Sequence, residues 1–132
     1  MPLSVKNLAE VFAVLKPELS VQQVKNEPSL YADLDSRFAD FKQHLLIAMH
    51  GFNQDWPSWE CHPAGDEIVV LFSGQCEFLL KNANGIQTLR LDTPGAYVVV
   101  PKGVWHTAKI ASSASMLFIT PGEDTQHAEQ PV

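Results

Sequence analysis

The sequence has no long hydrophobic run and little positive charge. None of its apolar stretches reaches the roughly 20 residues of a transmembrane helix. The N-terminal segment has no charged head followed by a continuous apolar stretch, so we expect no signal peptide. Nine Lys and Arg residues oppose fifteen Asp and Glu residues, for a net charge of −6. Without a Lys/Arg cluster, we expect neither nucleic acid nor a membrane as a partner.

Cysteine is scarce, and the usual catalytic signatures are missing. Cys61 and Cys76 match neither a redox pair nor a zinc ribbon in their spacing. We expect both to be reduced thiols, buried as small hydrophobes, in a cytoplasmic protein. The sequence also shows no Ser-His-Asp order, no phosphate-binding P-loop and no dinucleotide-binding glycine pattern, so none of these sites is predicted.

The composition is that of one ordinary globular domain. Hydrophobic residues make up 45% and charged residues 18% of the 132 residues, and there is no repeat or linker. We predict an N-terminal extension packed on the domain at residues 1–40, a barrel at residues 41–122 and a polar tail at residues 123–132. We expect the tail to fray beyond its first residues.

The N-terminal extension carries a helical pattern. Ser4 can cap a short helix, which Pro17 would end. Apolar residues recur at helical spacing between them, at Leu8, Val11, Phe12 and Leu15. We therefore predict a short N-terminal helix there, a short strand at residues 19–25, and a loop or one helical turn in the following stretch.

The remainder of the chain is rich in short strands. Between residues 41 and 120, β-branched and apolar segments alternate with Gly, Pro and Asn turns, and no helix is predicted. An antiparallel fold of this size manages its edges by closing into a sandwich or barrel. The pattern therefore predicts an all-β domain.

The segment WPSWECHPAGDEIVVLFSG, residues 56–74, concentrates the chemistry. Glu60 and His62 lie two apart, so they share one face of a strand, and Cys61 should face away. Residues 63–65 turn the chain, and Glu67 begins the next strand. These oxygen and nitrogen ligands form a partial shell for a divalent metal ion.

A rigid site also needs a ligand from outside this hairpin. His106 is the later candidate, because the turn formed by Pro101 and Gly103 places it on another strand. Val69 and Leu71 should share the face of Glu67 and form an apolar pocket beside the polar group. His50 is a weaker pocket candidate, at the end of a predicted strand.

Two separated motifs resemble those of the cupin superfamily. The resemblance covers residues 41–120 and is specific, because both motifs agree in order and spacing. Small bacterial single-domain cupins are similar to the segments WECHPAGDEIVVLFSG, PKGVWHTA and LFITPG. The matching positions are His62, Glu67 and Gly74 in the first motif, and Gly95, Pro101, Gly103 and His106 in the second.

The resemblance implies a fold, a cofactor and an assembly. The fold would be a double-stranded β-helix, or jelly-roll barrel, with a short N-terminal helix, and the protein would form a homodimer. The cofactor would be a divalent metal ion, Fe, Mn, Zn or Ni. The ligands would be His62, Glu67, His106 and, in place of the first histidine of the family, Glu60.

This chain departs from the family pattern at three positions. Gln54 replaces a glycine and Ile110 an asparagine, and both changes are structural. Glu60 alters the shell to two histidines and two carboxylates, which suits Fe(II), Mn(II) or Zn(II). Glu60 is also our candidate catalytic residue, because a carboxylate that does not bind metal can act as a base or a hydrogen-bond acceptor.

Several functions fit these residues. The first is a metal-dependent oxidoreductase or isomerase acting on a small organic molecule, with dioxygenase-like or isomerase/lyase-like chemistry. The alternative is a non-catalytic small-molecule-binding or sensor cupin, and a third is a barrel whose metal is structural or absent. Outside the motifs, we expect His44 and His127 on the surface and Asp66 as a turn carboxylate.

Overall fold

The structure is a computed structural model that describes residues 3–132. Met1 and Pro2, the first residues of the predicted extension, lie outside the described residues. Within residues 3–132 no helix is long and apolar enough to cross a membrane. The same range forms one α-helix, α1 (Leu30–Arg37), and eleven β-strands. The strands are β1 (Val11–Leu15), β2 (Val21–Lys25), β3 (Leu45–Phe52), β4 (Trp59–Cys61), β5 (Glu67–Gly74), β6 (Cys76–Asn82), β7 (Gly85–Leu91), β8 (Tyr97–Val100), β9 (His106–Lys109), β10 (Ala114–Thr120) and β11 (Gln126–Ala128).

The strands form two antiparallel sheets. One has the order β2-β1-β3-β10-β5-β8 and the other the order β11-β4-β9-β6-β7. The chain crosses repeatedly between the sheets, and among the strands of residues 3–132 only the β1–β2 and β6–β7 pairs are sequential hairpins. The predicted fold class is confirmed: the domain is all-β, with two sheets and one short helix within the first 40 residues.

The position predicted for that helix is wrong. Val11–Leu15 is strand β1, which pairs with β2 on one side and β3 on the other. Phe12 and Val14 are fully buried while their neighbours are half-buried, so burial alternates with the period of a strand. Short apolar runs fit both periods, and pairing along two edges of β1 decides between them. The helix forms later, at α1, where we predicted a loop or one turn.

Helix α1 covers part of the inner face of the first sheet. Its Leu30 and Leu34 are buried against Phe12 and Val14 of β1 and against Leu46 of β3. The chain then turns back into β3 through four residues with positive φ, Ala39–Phe41 and Gln43. Each such residue costs about 1–2 kcal/mol relative to a right-handed one. Burial of the Phe41 ring offsets part of this cost.

The main core lies between the two sheets. Its largest fully buried members include Leu71 and Phe78, which come from opposite sheets, and Met116. Gly74 ends β5 with a positive φ of 78°, and a Cβ there would collide with the carbonyl oxygen of Ser113. Glycine therefore lets β5 approach the start of β10 before the chain crosses to the second sheet.

The C-terminal tail is ordered into the second sheet. Strand β11 pairs with β4 in the register that sets His127 opposite Glu60 and Gln126 opposite Cys61. The expectation that the tail frays is therefore wrong. Residues 126–128 pair with β4, and this places polar tail residues beside the candidate site.

Candidate metal centre

Four predicted site residues come from neighbouring strand ends. Glu60 lies on β4 and is paired directly with His106, the first residue of β9. His62 follows the end of β4, and Glu67 is the first residue of β5. The turn between β4 and β5 and the approach of β9 to β4 thus bring the two motifs to one end of the barrel.

The four side chains meet at one point. His106 Nε2 lies 3.2 Å from Glu67 Oε1, and His62 Nε2 lies 3.4 Å from Glu67 Oε2. Glu60 Oε2 is more distant, 3.7 Å from His62 Nε2 and 3.9 Å from His106 Nε2. His62, Glu67 and His106 are buried, whereas 29% of the Glu60 side chain is exposed.

The outer nitrogens of both histidines have fixed partners. Thr125 donates its hydroxyl proton to Gly122 O, so His62 Nδ1, 2.9 Å from the Thr125 oxygen, is the donor in that pair. His106 Nδ1 faces Val104 O at 3.2 Å and must donate as well. In the neutral rings, both Nε2 lone pairs therefore point at the centre.

This arrangement fits a cation. His62 Nε2, His106 Nε2 and Glu67 Oε1 are buried without a hydrogen-bond partner, which is costly for polar atoms. The histidine lone pairs and the carboxylate oxygens that they face repel each other unless a proton or a metal ion lies between them. Ligand atoms about 2.1 Å from a shared ion lie roughly 3–4 Å apart, like the pairs measured here. Glu60, His62 and His106 form a candidate metal site, with ligand atoms within 4.8 Å of one another.

The charges of the centre are strongly coupled. Burial favours a raised pKa for Glu67, but His106 and His62 outweigh burial and lower the pKa to about 2. Burial likewise favours a lower pKa for His106, but Glu67 outweighs it and raises the pKa. Each of these two groups therefore stabilises the charged form of the other.

Each carboxylate also has an outer partner. Thr120 on β10 donates to Glu67 Oε2 at 2.6 Å, and His127 on β11 contacts Glu60 Oε1 at 3.1 Å. This leaves Glu60 Oε2 facing the two site histidines. Thr120, Thr125 and His127 were not predicted as site partners. Thr120 lies in the segment LFITPG, whereas no motif marks Thr125 or His127. His127 is 58% exposed, as expected of a surface residue, but it also contacts the site.

A cavity of about 870 Å³ adjoins the centre. It lies between α1, β3 and the strand ends that carry Glu60 and Glu67, and its aromatic walls are Phe52, Trp56 and Phe118. The expectation that His50 lines the barrel interior is confirmed.

The other predicted positions have mixed outcomes. Val69 and Leu71 share the inward face of Glu67, but they are fully buried in the core and do not line the cavity. The Asp66 carboxylate accepts a hydrogen bond from the Lys102 backbone N–H at 2.7 Å, so its predicted turn role is confirmed. His44 was expected on the surface, and this is wrong: its ring is buried and its Nδ1 lies 2.7 Å from Lys42 O. Both cysteines are free and buried.

Comparison with known proteins shows the fold. No protein-family model matches the chain. A cupin-2 domain containing protein from Shewanella frigidimarina superposes with a TM-score of 0.50 and 21% identity, over 58% of this chain and 70% of that one. Hydroquinone 1,2-dioxygenase from Sphingomonas sp. TTNP3 superposes with a TM-score of 0.50 and 20% identity, over 58% of each chain.

A sequence relative matches over a shorter stretch. TDP-4-oxo-6-deoxy-alpha-D-glucose-3,4-oxoisomerase from Aneurinibacillus thermoaerophilus is 28% identical over 61 residues. The match covers 46% of this chain and 44% of the relative. It therefore spans less than half of the isomerase.

Proposed function

Because this chain has the cupin fold, we propose that it binds a divalent metal ion through Glu60, His62, Glu67 and His106 and acts on a small organic molecule. One observation carries the proposal. Buried, unpartnered nitrogen and oxygen atoms of His62, His106 and Glu67 converge beside a cavity large enough for such a molecule.

The four residues of the centre have two different roles in this proposal. A bound ion would supply Lewis acidity or a position for O2. His62, His106 and Glu67 are held by their outer partners and serve to bind the ion. Glu60 is the one partly exposed member, so it is placed to hold or move a proton at the cavity edge, with His127 as its outer partner.

Two reaction classes belong to the proposal. The dioxygenase among the similar structures and the isomerase among the relatives correspond to the two chemistries predicted from the sequence. The isomerase is named for a nucleotide sugar, whose diphosphate is usually bound by Arg or Lys. Among residues 3–132, no Arg or Lys lines the cavity, so we favour a substrate without a diphosphate.

Metal content and turnover test this function. The purified protein is analysed for bound metal and then titrated with Fe(II), Mn(II), Zn(II) and Ni(II). Loaded protein is assayed for O2 consumption and for isomer formation with small ring compounds. We expect one equivalent of metal per chain, and substrate turnover that the matched variant Glu60→Gln reduces.

The outcomes separate the alternatives. A folded protein, checked by circular dichroism, that binds none of the four ions would overturn the metal site. Stoichiometric metal with small-molecule binding but no turnover would replace the enzyme with the binding or sensor function. The homodimer implied by the resemblance stays a prediction.

A further inference from the structure

The cavity is lined by acidic side chains without cationic ones. Within residues 3–132, no Lys or Arg lines it, and the lining includes three histidines. One of the lining carboxylates, Asp55, does have a cationic partner outside the lining, because it pairs with Lys109 at 3.7 Å near the surface. A divalent ion at the centre would offset two of the five negative charges. The lining carboxylates are Asp35, Asp55, Glu60, Glu67 and Asp124.

This charge distribution disfavours acidic ligands. Carboxylates and phosphates are usually held by Arg or Lys. Here an anion would face five carboxylates and no lining Arg or Lys within residues 3–132, in a partly enclosed space where water screens charge less than at a surface. A hydroxyl or amino group would instead find several acceptor oxygens.

Aromatic rings form one wall of the cavity. The ring centroids of Phe52, Trp56 and Phe118 lie 5.5–6.1 Å from one another. The His50 ring extends this wall, 5.8 Å from Phe118. Such a wall offers ring faces and edges to another flat ring.

The wall ends in an uncharged polar pair. The Tyr31 hydroxyl lies 2.8 Å from His50 Nε2. Burial, followed by the charges of Glu60 and Glu67, raises the pKa of Tyr31 to about 12, so its phenol stays neutral. Burial lowers the pKa of His50, although Glu60 opposes this shift. Whichever group donates, the phenol retains one further hydrogen-bonding position.

We propose that the cavity selects a flat ring compound that carries hydroxyl or amino groups and no acidic group. The ring would pack on Phe52, Trp56 and Phe118, and a polar substituent would reach the Tyr31–His50 pair. This inference rests on the proposed function, because it takes the cavity to be the substrate site. The preference for a ligand without an acidic group does not require the metal ion.

Three probes of matched ring size test the inference. Benzyl alcohol, benzylamine and benzoate are titrated into the full-length chain, both metal-free and loaded with Mn(II), and binding is followed by ligand-observed NMR. In the metal-free protein, we expect benzoate to bind at least about tenfold more weakly than either of the others. Benzoate binding as tightly as benzyl alcohol would overturn the inference.

A variant tests the polar pair. Tyr31→Phe removes the hydroxyl from a half-exposed residue, so the fold should be retained. We expect affinity for benzyl alcohol to fall about 2- to 10-fold, the usual effect of one hydrogen bond. The matched control Tyr97→Phe, an exposed side chain on β8 away from the cavity, should change nothing. Equal affinities in wild type and Tyr31→Phe would show that the polar substituent does not reach the Tyr31–His50 pair. Absence of metal binding would overturn only the proposed function.

Discussion

Glu67 holds the centre together at the scale of single residues. It is 2% exposed, it contacts both site histidines, and it accepts a hydrogen bond from Thr120. Burying an ionised carboxylate is costly unless it is paired and hydrogen-bonded, and each of its partners contributes to that compensation. The negative charge of Glu67 therefore favours either a proton on the neighbouring histidines or a metal ion at the centre.

Replacing Glu67 tests this dependence. Glu67→Gln keeps the size of the side chain but removes the charge. Changes in the outer partners of a metal ligand cost about 10- to 100-fold in affinity, and we expect loss of the ligand itself to cost at least about 100-fold. Isothermal titration with Mn(II) measures this, with exposed Glu77→Gln as the control. Unchanged Mn(II) affinity in Glu67→Gln would contradict the assignment.

Glu60 should matter less for binding than Glu67. Its nearest oxygen lies 3.7 and 3.9 Å from the two histidines, against 3.2 and 3.4 Å for Glu67, and the side chain is partly exposed. We therefore expect Glu60→Gln to lower Mn(II) affinity by about tenfold while reducing turnover more strongly. The same titration and the turnover assay are compared. A larger loss of affinity in Glu60→Gln than in Glu67→Gln would reverse this ranking.

At the scale of elements, β11 supports the site from the end of the chain. It aligns His127 with Glu60, and Thr125, just before it, fixes the His62 ring. Neither contact could be read from the sequence, because the partners are 63 and 67 residues apart and the tail has no hydrophobic pattern.

Thr125 gives the test of this support. Thr125→Ala leaves His62 Nδ1 without its acceptor, so the ring can rotate or change tautomer, and we expect Mn(II) affinity to fall about tenfold. Thr125→Ser keeps the hydroxyl and should retain wild-type affinity, as should Gln126→Ala on an exposed neighbouring side chain. Affinity in Thr125→Ser as low as in Thr125→Ala would show that packing of the methyl group, and not the hydroxyl, is responsible.

Strand β1 makes the N-terminal segment part of the fold. Phe12 is fully buried in the cluster that also contains α1 and β3 residues. Phe12→Ala should lower the free energy of unfolding by about 3–5 kcal/mol, as expected for a large buried aromatic side chain. Urea denaturation measures this, and Val21→Ala on exposed β2 should change it by no more than about 0.5 kcal/mol. A loss below about 1 kcal/mol for Phe12→Ala would mean that this segment is not packed as described.

For the whole molecule, the barrel could be predicted, as could the short strand at residues 19–25, which is β2 (Val21–Lys25), whereas β1, α1 and β11 could not. Strand-period patterns and turn residues between positions 41 and 120 are local signals, and they placed β3 to β10. The meeting of Glu60, His62, Glu67 and His106 was implied by the resemblance of two separated motifs to those of the cupins. The end segments depend on pairing with distant strands. Leu8, Val11, Phe12 and Leu15 match helical spacing, and pairing of Val11–Leu15 with both β2 and β3 makes that segment a strand. The cavity walls likewise come from elements far apart in sequence.

The charge of the centre links stability, metal and pH. The pKa of His106 is raised above its ordinary 6.5 by Glu67, so the pair stabilises the metal-free fold fully below pH 6.5. This contribution is lost as the pH rises through the folded-state pKa. A metal ion must displace the proton that His106 carries at low pH. Metal binding therefore strengthens as the pH rises through the pKa of His106.

Thermal unfolding measures this linkage. We expect the increase in Tm caused by a fixed Mn(II) concentration to be larger at pH 8 than at pH 6, because the bound ion stabilises the fold in proportion to its affinity. An equal increase in Tm at both pH values would show that no proton is displaced.

The pairing of β11 with β4 also fixes an order in time during synthesis. His62 and Thr125 are 63 residues apart, so at typical rates of synthesis roughly 3–13 s pass between them. In the last part of that interval, once His106 has been made, the nascent chain has its two histidines and two carboxylates, but His62 and Glu60 still lack the partners that aim them. A metal ion captured by the nascent chain would meet a loosely oriented set of ligands, and only the arrival of the last strand completes the geometry of the centre.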